Sequence, residues 1–303
     1  MGALSAGVSA DGRGCRVTAS DGVELHAEVD DAPDARVTVV FSHGWTLSSE
    51  TWRPQRDALR GGARVVAWDQ RGHGRSARGA RDSATIEQVG RDLLAVLDHT
   101  TPQGPVVLAG HSMGAMAVMA LAGQRPDFVA ARVQGVALVS TAAGGLRGSG
   151  LGLSPAAIMS RLAPRVLEAA GGRPAVAERL RRSRWSGADR LVRRALFGPE
   201  APRPVVERGL GLVRATPVEV VADFFPTLRA HDTYAALAGL RDLPAVILVG
   251  ELDRLTPIRH SQAIARALPR AELVVARRAG HCLPLECPGL VTERIRDLAD
   301  RAS

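Results

Sequence analysis

The sequence contains no lysine and no asparagine, and it has three cysteines, one tyrosine, five phenylalanines and four tryptophans in 303 residues. With lysine absent, all 39 basic residues are arginine and carry the formal charge of +8. Codon choice in a GC-rich genome accounts for that preference. The alternative is a basic surface that attracts an acidic partner or substrate. The arginines are dispersed and aromatics are scarce, which excludes a nucleic-acid-binding surface. Cys15, Cys282 and Cys287 form an odd set without metal-type spacing. That pattern excludes a disulfide framework and leads us to expect free thiols in a reducing compartment, with no metal and no cofactor. No stretch approaches the ~20 apolar residues of a membrane helix. The first residues, MGALSAGVSADGRG, lack the basic and apolar regions of a signal peptide, so a cytoplasmic location and no membrane partner are expected.

What is present suits a globular chain: 46% hydrophobic and 23% charged residues, long enough for one large α/β domain with an insertion or for two ordinary domains. Residues 1–15 read as a flexible tail. Asp21-Gly22 turns a hairpin between Arg16–Ser20 and Glu24–Val29. Buried-type strands are expected over Arg36–Ser42, Ala63–Trp68 and Pro105–Ala109, and further strands over Val133–Ser140, Ala245–Val249 and Glu272–Ala276. Helices are expected over Thr51–Leu59, Ile86–His99 with Ser83 as its cap, Ala115–Ala122, Ile258–Leu268 and Leu290–Ala302. The alternation predicts a mainly parallel sheet covered on both faces. It lapses between residues 144 and 235, where helical patterns over 154–170, 174–185, 187–197 and 217–230 read as an inserted helical layer.

The most informative stretch is PVVLAGHSMG, Pro105–Gly114, a strand followed by Gly-His-Ser-Met-Gly and then a helix. A serine between two glycines at such a turn is a nucleophile elbow. Gly110 and Gly114 stand where strand and helix cross too closely for a side chain. In a parallel sheet, ligands bind at the C-terminal ends of the strands. Ser112, Asp253 and His281 each follow a strand, in the order nucleophile, acid, base. His281 would take the serine proton, Asp253 would hold the imidazole in its tautomer, and the backbone N–H groups of Trp45 and Met113 would receive the oxyanion. Asp242 and Asp223 are the other acids weighed.

HGWTLSSETW, DQRGHGRS, GHSMG, GELDRLTP and AGHCLPLE together resemble the signature segments of the α/β-hydrolase superfamily, over residues 16 to 300. The resemblance implies an α/β-hydrolase fold, with residues 16–143 and 236–303 as core and 144–235 as a helical cap that supplies most of the substrate pocket. His43, Gly44 and His111 are candidate pocket residues, with His43 expected chiefly to orient the oxyanion loop. Asp69 and His73 are expected to fix a loop. Cys282 is read as a small buried apolar residue. His26, His99, His231 and His260 carry no motif. Members that open epoxides or displace halides place aspartate at the elbow, so Ser112 disfavours those reactions. The short HGW segment favours small or medium acyl groups over those of lipases with a glycine run.

The expected activity is hydrolysis of a small-molecule ester, lactone or related acyl bond through an acyl-serine. One alternative is a thioester hydrolase or cyclising enzyme, whose arginines between residues 161 and 194 dock a coenzyme A ester or an acidic carrier protein. The other is a ligand-binding protein of the same fold with little turnover.

Overall fold

A computed structural model describes residues 14–146 and 186–302. Its strands are β1 (Gly14–Thr18), β2 (Glu24–Asp30), β3 (Thr38–Ser42), β4 (Arg64–Asp69), β5 (Val106–His111), β6 (Val133–Val139), β7 (Ala245–Gly250) and β8 (Ala271–Ala276). They form one sheet in the order β1-β2-β4-β3-β5-β6-β7-β8. β1, β2 and β4 pair antiparallel, and from β4 to β8 all pairs are parallel. The chain steps from β3 outward to β4, then back past β3 to β5. The strand order therefore reverses between β3 and β5, the place where open α/β sheets form a crevice.

The inner parallel strands β3 to β7 are apolar on both faces because helices cover both, whereas the edge strand β8 is largely half-buried or exposed. Val40, Leu108, Leu138 and Ile247 point into one core with α2 (Ile86–Thr100), α3 (Met113–Gln124) and α8 (Ile258–Ala267). Their neighbours Val39, Phe41, Ala109, Val139 and Leu248 point into the other, with Leu59 of α1 (Arg53–Leu59), Leu283 of α9 (Leu283–Glu286) and Ile295 of α10 (Pro288–Ala302). This two-residue alternation is the pleat expressed as packing. Helix α3 is buried from Met113 through Ala122, so its sequence is apolar on every side rather than striped.

Between β6 and β7 lie α5 (Ser186–Leu196), α6 (Arg203–Ala215) and α7 (Val218–Ala230). Val220, Phe224 and Leu228 of α7 join the core beside α2 and α3. Leu196, Phe197, Val206 and Leu210 form a separate cluster with Leu47 and Cys282. Helix α7 runs through Pro226, and Asp223 on it accepts a 3.0 Å hydrogen bond from Arg78 Nε.

Several expectations are adjusted. β1 starts at Gly14, where Gly14 and Cys15 pair with Glu28 and Ala27. Thr85, not Ser83, caps α2: its Oγ1 accepts from the Gln88 N–H at 3.1 Å. Ser83 lies in a preceding 3₁₀ turn, where its hydroxyl donates to the Ala80 carbonyl and accepts from Arg71. Helices α4 (Pro126–Arg132) and α6 were not anticipated; proline opens both at the first or second position, where its missing N–H is harmless. The helices expected at 187–197 and 217–230 are present as α5 and α7. Those at 154–170 and 174–185, and the arginines between 161 and 184, lie outside the described residues. No helix among the described residues is long and apolar enough to cross a membrane.

The loop after β4 is fastened by an ion pair with almost no exposure. Arg71 grips Asp92 of α2 through Nε–Oδ2 at 2.6 Å and Nη2–Oδ1 at 2.7 Å, with side-chain exposures of 2% and 0%. Burial pushes the Asp92 carboxyl up, against the pull of the guanidinium. Without Asp92 the buried guanidinium keeps only Asp21, at 2.8 Å and 33% exposed, as a charged partner, and its buried side loses its counter-charge. Asp92→Ala is therefore expected to lower stability by about 3–5 kcal/mol in urea unfolding, and a loss near zero would contradict this role.

Candidate active site

The site assembles at the C-terminal edge of the sheet, on the loops after β3, β4, β5, β7 and β8. Ser112 stands between β5 and α3, at the helix N-cap, with φ 53° and ψ −115°, a positive-φ backbone that a serine adopts only under constraint. Its N–H donates to the Val139 carbonyl at 2.8 Å, and its carbonyl accepts from Thr141 Oγ1 at 2.9 Å. The glycines flanking it explain the turn. A Cβ at Gly110 would strike the backbone of Ala115, and one at Gly114 would overlap the carbonyl oxygens of Ser42 and His43.

Asp253 and His281 meet because the loops after β7 and β8 bond to each other. Glu251 and Leu252 donate to the Ala276 and Ala279 carbonyls, both at 2.9 Å. His281 Nδ1 donates to Asp253 Oδ2 at 2.8 Å, with side-chain exposures of 4% and 0%. Asp253 Oδ1 also accepts the N–H groups of Leu255 and Thr256, and Oδ2 accepts Thr256 Oγ1, each at 2.9 Å. Burial alone would push the Asp253 carboxyl up, but His281 and these donors hold it below its ordinary value. An ionised carboxylate only accepts hydrogen bonds, so Nδ1 carries a proton, and in the neutral imidazole the lone pair is on Nε2. Capping the turn before α8 and orienting His281 are thus both done by one carboxylate. Asp242 precedes β7, at the opposite end of that strand from Asp253, and Asp223 is engaged with Arg78 and Arg81.

The turn after β3 is held from the loop after β4. Thr46, at φ 65°, donates its N–H to His73 Nε2 at 3.2 Å, and Leu47 N–H closes on the Gly44 carbonyl at 3.1 Å. Neither bond uses the Trp45 N–H. The Met113 N–H is likewise without a helical acceptor, as the first of its helix. Gln70 N–H donates to His43 Nε2 at 2.9 Å, and His43 Nδ1 donates to the Gly44 carbonyl at 2.8 Å. Asp69 accepts Ser49 N–H at 2.8 Å and Arg75 N–H at 3.0 Å. His43 and His73 are fully buried, and desolvation lowers both, His73 to about 3. They serve as neutral bridges.

His111 is also fully buried and neutral, lowered to about 3 by desolvation and then by His281. Its Nε2 donates to the His281 carbonyl at 2.9 Å, and the two rings lie 5.0 Å apart. Gly44 lies against it: a Cβ there would stand 2.7 Å from His111 Nδ1 and 3.3 Å from Ser112 Cβ. So the structure places His43 and His111 inside the protein as braces, with Gly44 between His111 and Ser112. Cys282 is buried, and desolvation raises its thiol well above the ordinary value, away from nucleophilic character. Trp45 stacks on Phe225 of α7 with centroids 6.2 Å apart. Among the described residues no His, Cys, Asp and Glu cluster is arranged to hold a metal.

Sequence reasoning assigned no role to Gln70, Thr256 or Glu286. Glu286 accepts the N–H groups of Gly280, six residues before it, and of Gly198; the second contact spans 88 residues, too far for any local pattern to reveal.

A family model described as the Alpha/beta hydrolase family matches residues 39–294. The structure is similar to that of a thermophilic esterase from Thermogutta terrifontis with malate bound, at 27% identity and TM-score 0.75, covering 96% of this chain and 99% of that one. It is also similar to the enol-lactonase from Burkholderia xenovorans LB400, at 25% identity and TM-score 0.72, over 94% and 99% of the two chains. A bifunctional esterase/perhydrolase of Acinetobacter calcoaceticus is 40% identical over 99 residues, 32% of this chain and 35% of that protein. The chain spans less than two thirds of the length of the curated relatives it matches.

The backbone crossing at the elbow is open to direct test. Gly114→Ala drives a Cβ onto the Ser42 and His43 carbonyls, and overpacking of this kind costs about 1–3 kcal/mol or more. Thermal unfolding of the variant should show a clearly lowered midpoint. An unchanged one would mean that the crossing is looser than described.

Proposed function

Because the chain belongs to the alpha/beta hydrolase family, we propose that it is a serine hydrolase that cleaves a carboxylic ester, lactone or related acyl bond. Ser112 is the nucleophile, His281 the general base and Asp253 the residue that orients and charges-balances the imidazole. The observation that carries this reading is the shielded 2.8 Å bond from His281 Nδ1 to Asp253 Oδ2. It leaves the Nε2 lone pair as the imidazole's proton acceptor.

Ser112 Oγ attacks the acyl carbon as its proton passes to His281 Nε2. The carbonyl oxygen becomes an oxyanion, received by the N–H groups of Trp45 and Met113 at the start of α3, where the helix dipole favours negative charge. Collapse of the intermediate expels the alcohol, which takes the proton from His281. Water then repeats the sequence on the acyl-serine and releases the carboxylic acid. The similarity to an esterase and an enol-lactonase supports a small ester or lactone as substrate. The helices between β6 and β7 are proposed as the cap over this edge, with Phe225 stacked on Trp45.

Intact-mass spectrometry after exposure to a fluorophosphonate should show a single adduct on the wild type and none on Ser112→Ala. Turnover of a responsive ester should fall by roughly 10³–10⁶ in that variant and by roughly 10⁴ in Asp253→Asn. Near-wild-type turnover in Ser112→Ala would overturn the mechanism. A parallel panel of esters and thioesters decides which acyl bond is preferred.

A further inference from the structure

The loop that carries His281 is cross-bonded to a turn in the segment between β6 and β7. The Leu196 carbonyl, at the end of α5, accepts the N–H groups of His281 at 2.9 Å and Cys282 at 3.0 Å. In the reverse direction, Glu286 Oε2 accepts the Gly198 N–H at 2.7 Å and the Gly280 N–H at 3.1 Å, with Oε1 3.2 Å from the latter. The two backbones are in direct contact. A Cβ at Gly280 would meet the Gly198 nitrogen at 2.6 Å, and one at Gly198 would overlap the Arg278 carbonyl. Nothing else described fixes Gly280, the residue before the base, to a side chain.

We propose that Glu286 is a positioning residue for His281, tying the Gly280–His281 turn to the backbone of Gly198 so that the base is in register when the Leu196–Gly198 turn is docked. The carboxylate touches no reacting atom in this scheme. It sets the direction of the imidazole by holding the residue before it, and it makes the base dependent on a segment otherwise remote from it in sequence. The inference rests on the reading of His281 as general base.

The test is the rate of Ser112 labelling by a fluorophosphonate, followed by intact mass over a range of probe concentrations. This separates reversible probe affinity from the rate constant of the covalent step. Glu286→Ala leaves two backbone N–H groups without an acceptor, and the covalent step should slow by about 10–100-fold, as displacement of a catalytic group by ~1 Å does, with probe affinity unchanged. Glu286→Gln keeps one oxygen able to serve both donors and should recover most of that loss. Gly198→Ala should slow the same step, and the double variant with Glu286→Gln should be no slower than Gly198→Ala alone.

Circular dichroism and thermal unfolding establish that each variant is folded. If Glu286→Ala does not fold, the Gly198→Ala and double-variant rates decide. Wild-type rates in the folded Ala variant, equal slowing by Ala and Gln, or additive slowing in the double variant would overturn the proposal. A wild type that gives no adduct overturns the acyl-serine reading, and this inference with it. A wild type that labels beside an unaffected Glu286→Ala overturns the inference alone.

Discussion

The C-terminal edge of the sheet depends on one backbone crossing. Where α3 leaves β5 it passes so close to the end of β3 that only glycine fits at 114, against the Ser42 and His43 carbonyls. The turn between them pushes Ser112 to φ 53°. Such a conformation costs about 1–3 kcal/mol and persists only where its surroundings over-determine it. Here they do: the Ser112 N–H is bonded to β6, and its carbonyl accepts both the helical N–H of Met116 and the Thr141 hydroxyl. A half-buried serine at the C-terminal edge of the sheet is the geometric result.

Around this point the loops brace one another through neutral imidazoles and ionised carboxylates. His43 and His73 carry hydrogen bonds between the loops after β3 and β4, and His111 reaches from β5 to the His281 carbonyl. Burial keeps these three rings uncharged, so each presents one donor and one acceptor at a known atom. Asp69 and Asp253 behave oppositely. Burial opposes their charge, but donated hydrogen bonds, from Ser49 and Arg75 at Asp69 and from His281 and Thr256 at Asp253, help keep both carboxyls below the ordinary range. A fixed set of donors and acceptors, rather than mobile charge, therefore defines the geometry available to a reacting acyl group.

The legible features were local ones. The strands were readable because residues such as Val39, Val40 and Phe41 are apolar without interruption, the mark of a strand covered on both faces. Ser112, Asp253 and His281 are legible because each follows a strand with a glycine nearby, although the strand before His281 is a half-buried edge. Ser83 and Thr85 are both capping residues two positions apart, and the sequence does not distinguish them. The choice went to the one whose hydroxyl was free, since Arg71 had taken Ser83. Helix α6 opens on a Pro-Arg-Pro stretch that reads as a break, and packing against Phe197 and Leu47 gives it a role that pattern could not supply.

Periodicity, and glycine placed beside reactive side chains, are enough to read from the residues alone the alternation of strands and helices, the family, and which residues stand at the strand ends. Only the tertiary structure decided the tautomers of the buried histidines, the partners of Arg71, and the joining of Gly198, Gly280 and Glu286. Apart from the short Gly280–Glu286 contact, those depend on which atoms meet across long stretches of chain, as Gly198 and Glu286 do. Hydrogen bonds of that reach leave no period in the chain; they exist once the sheet has brought its loops to one edge.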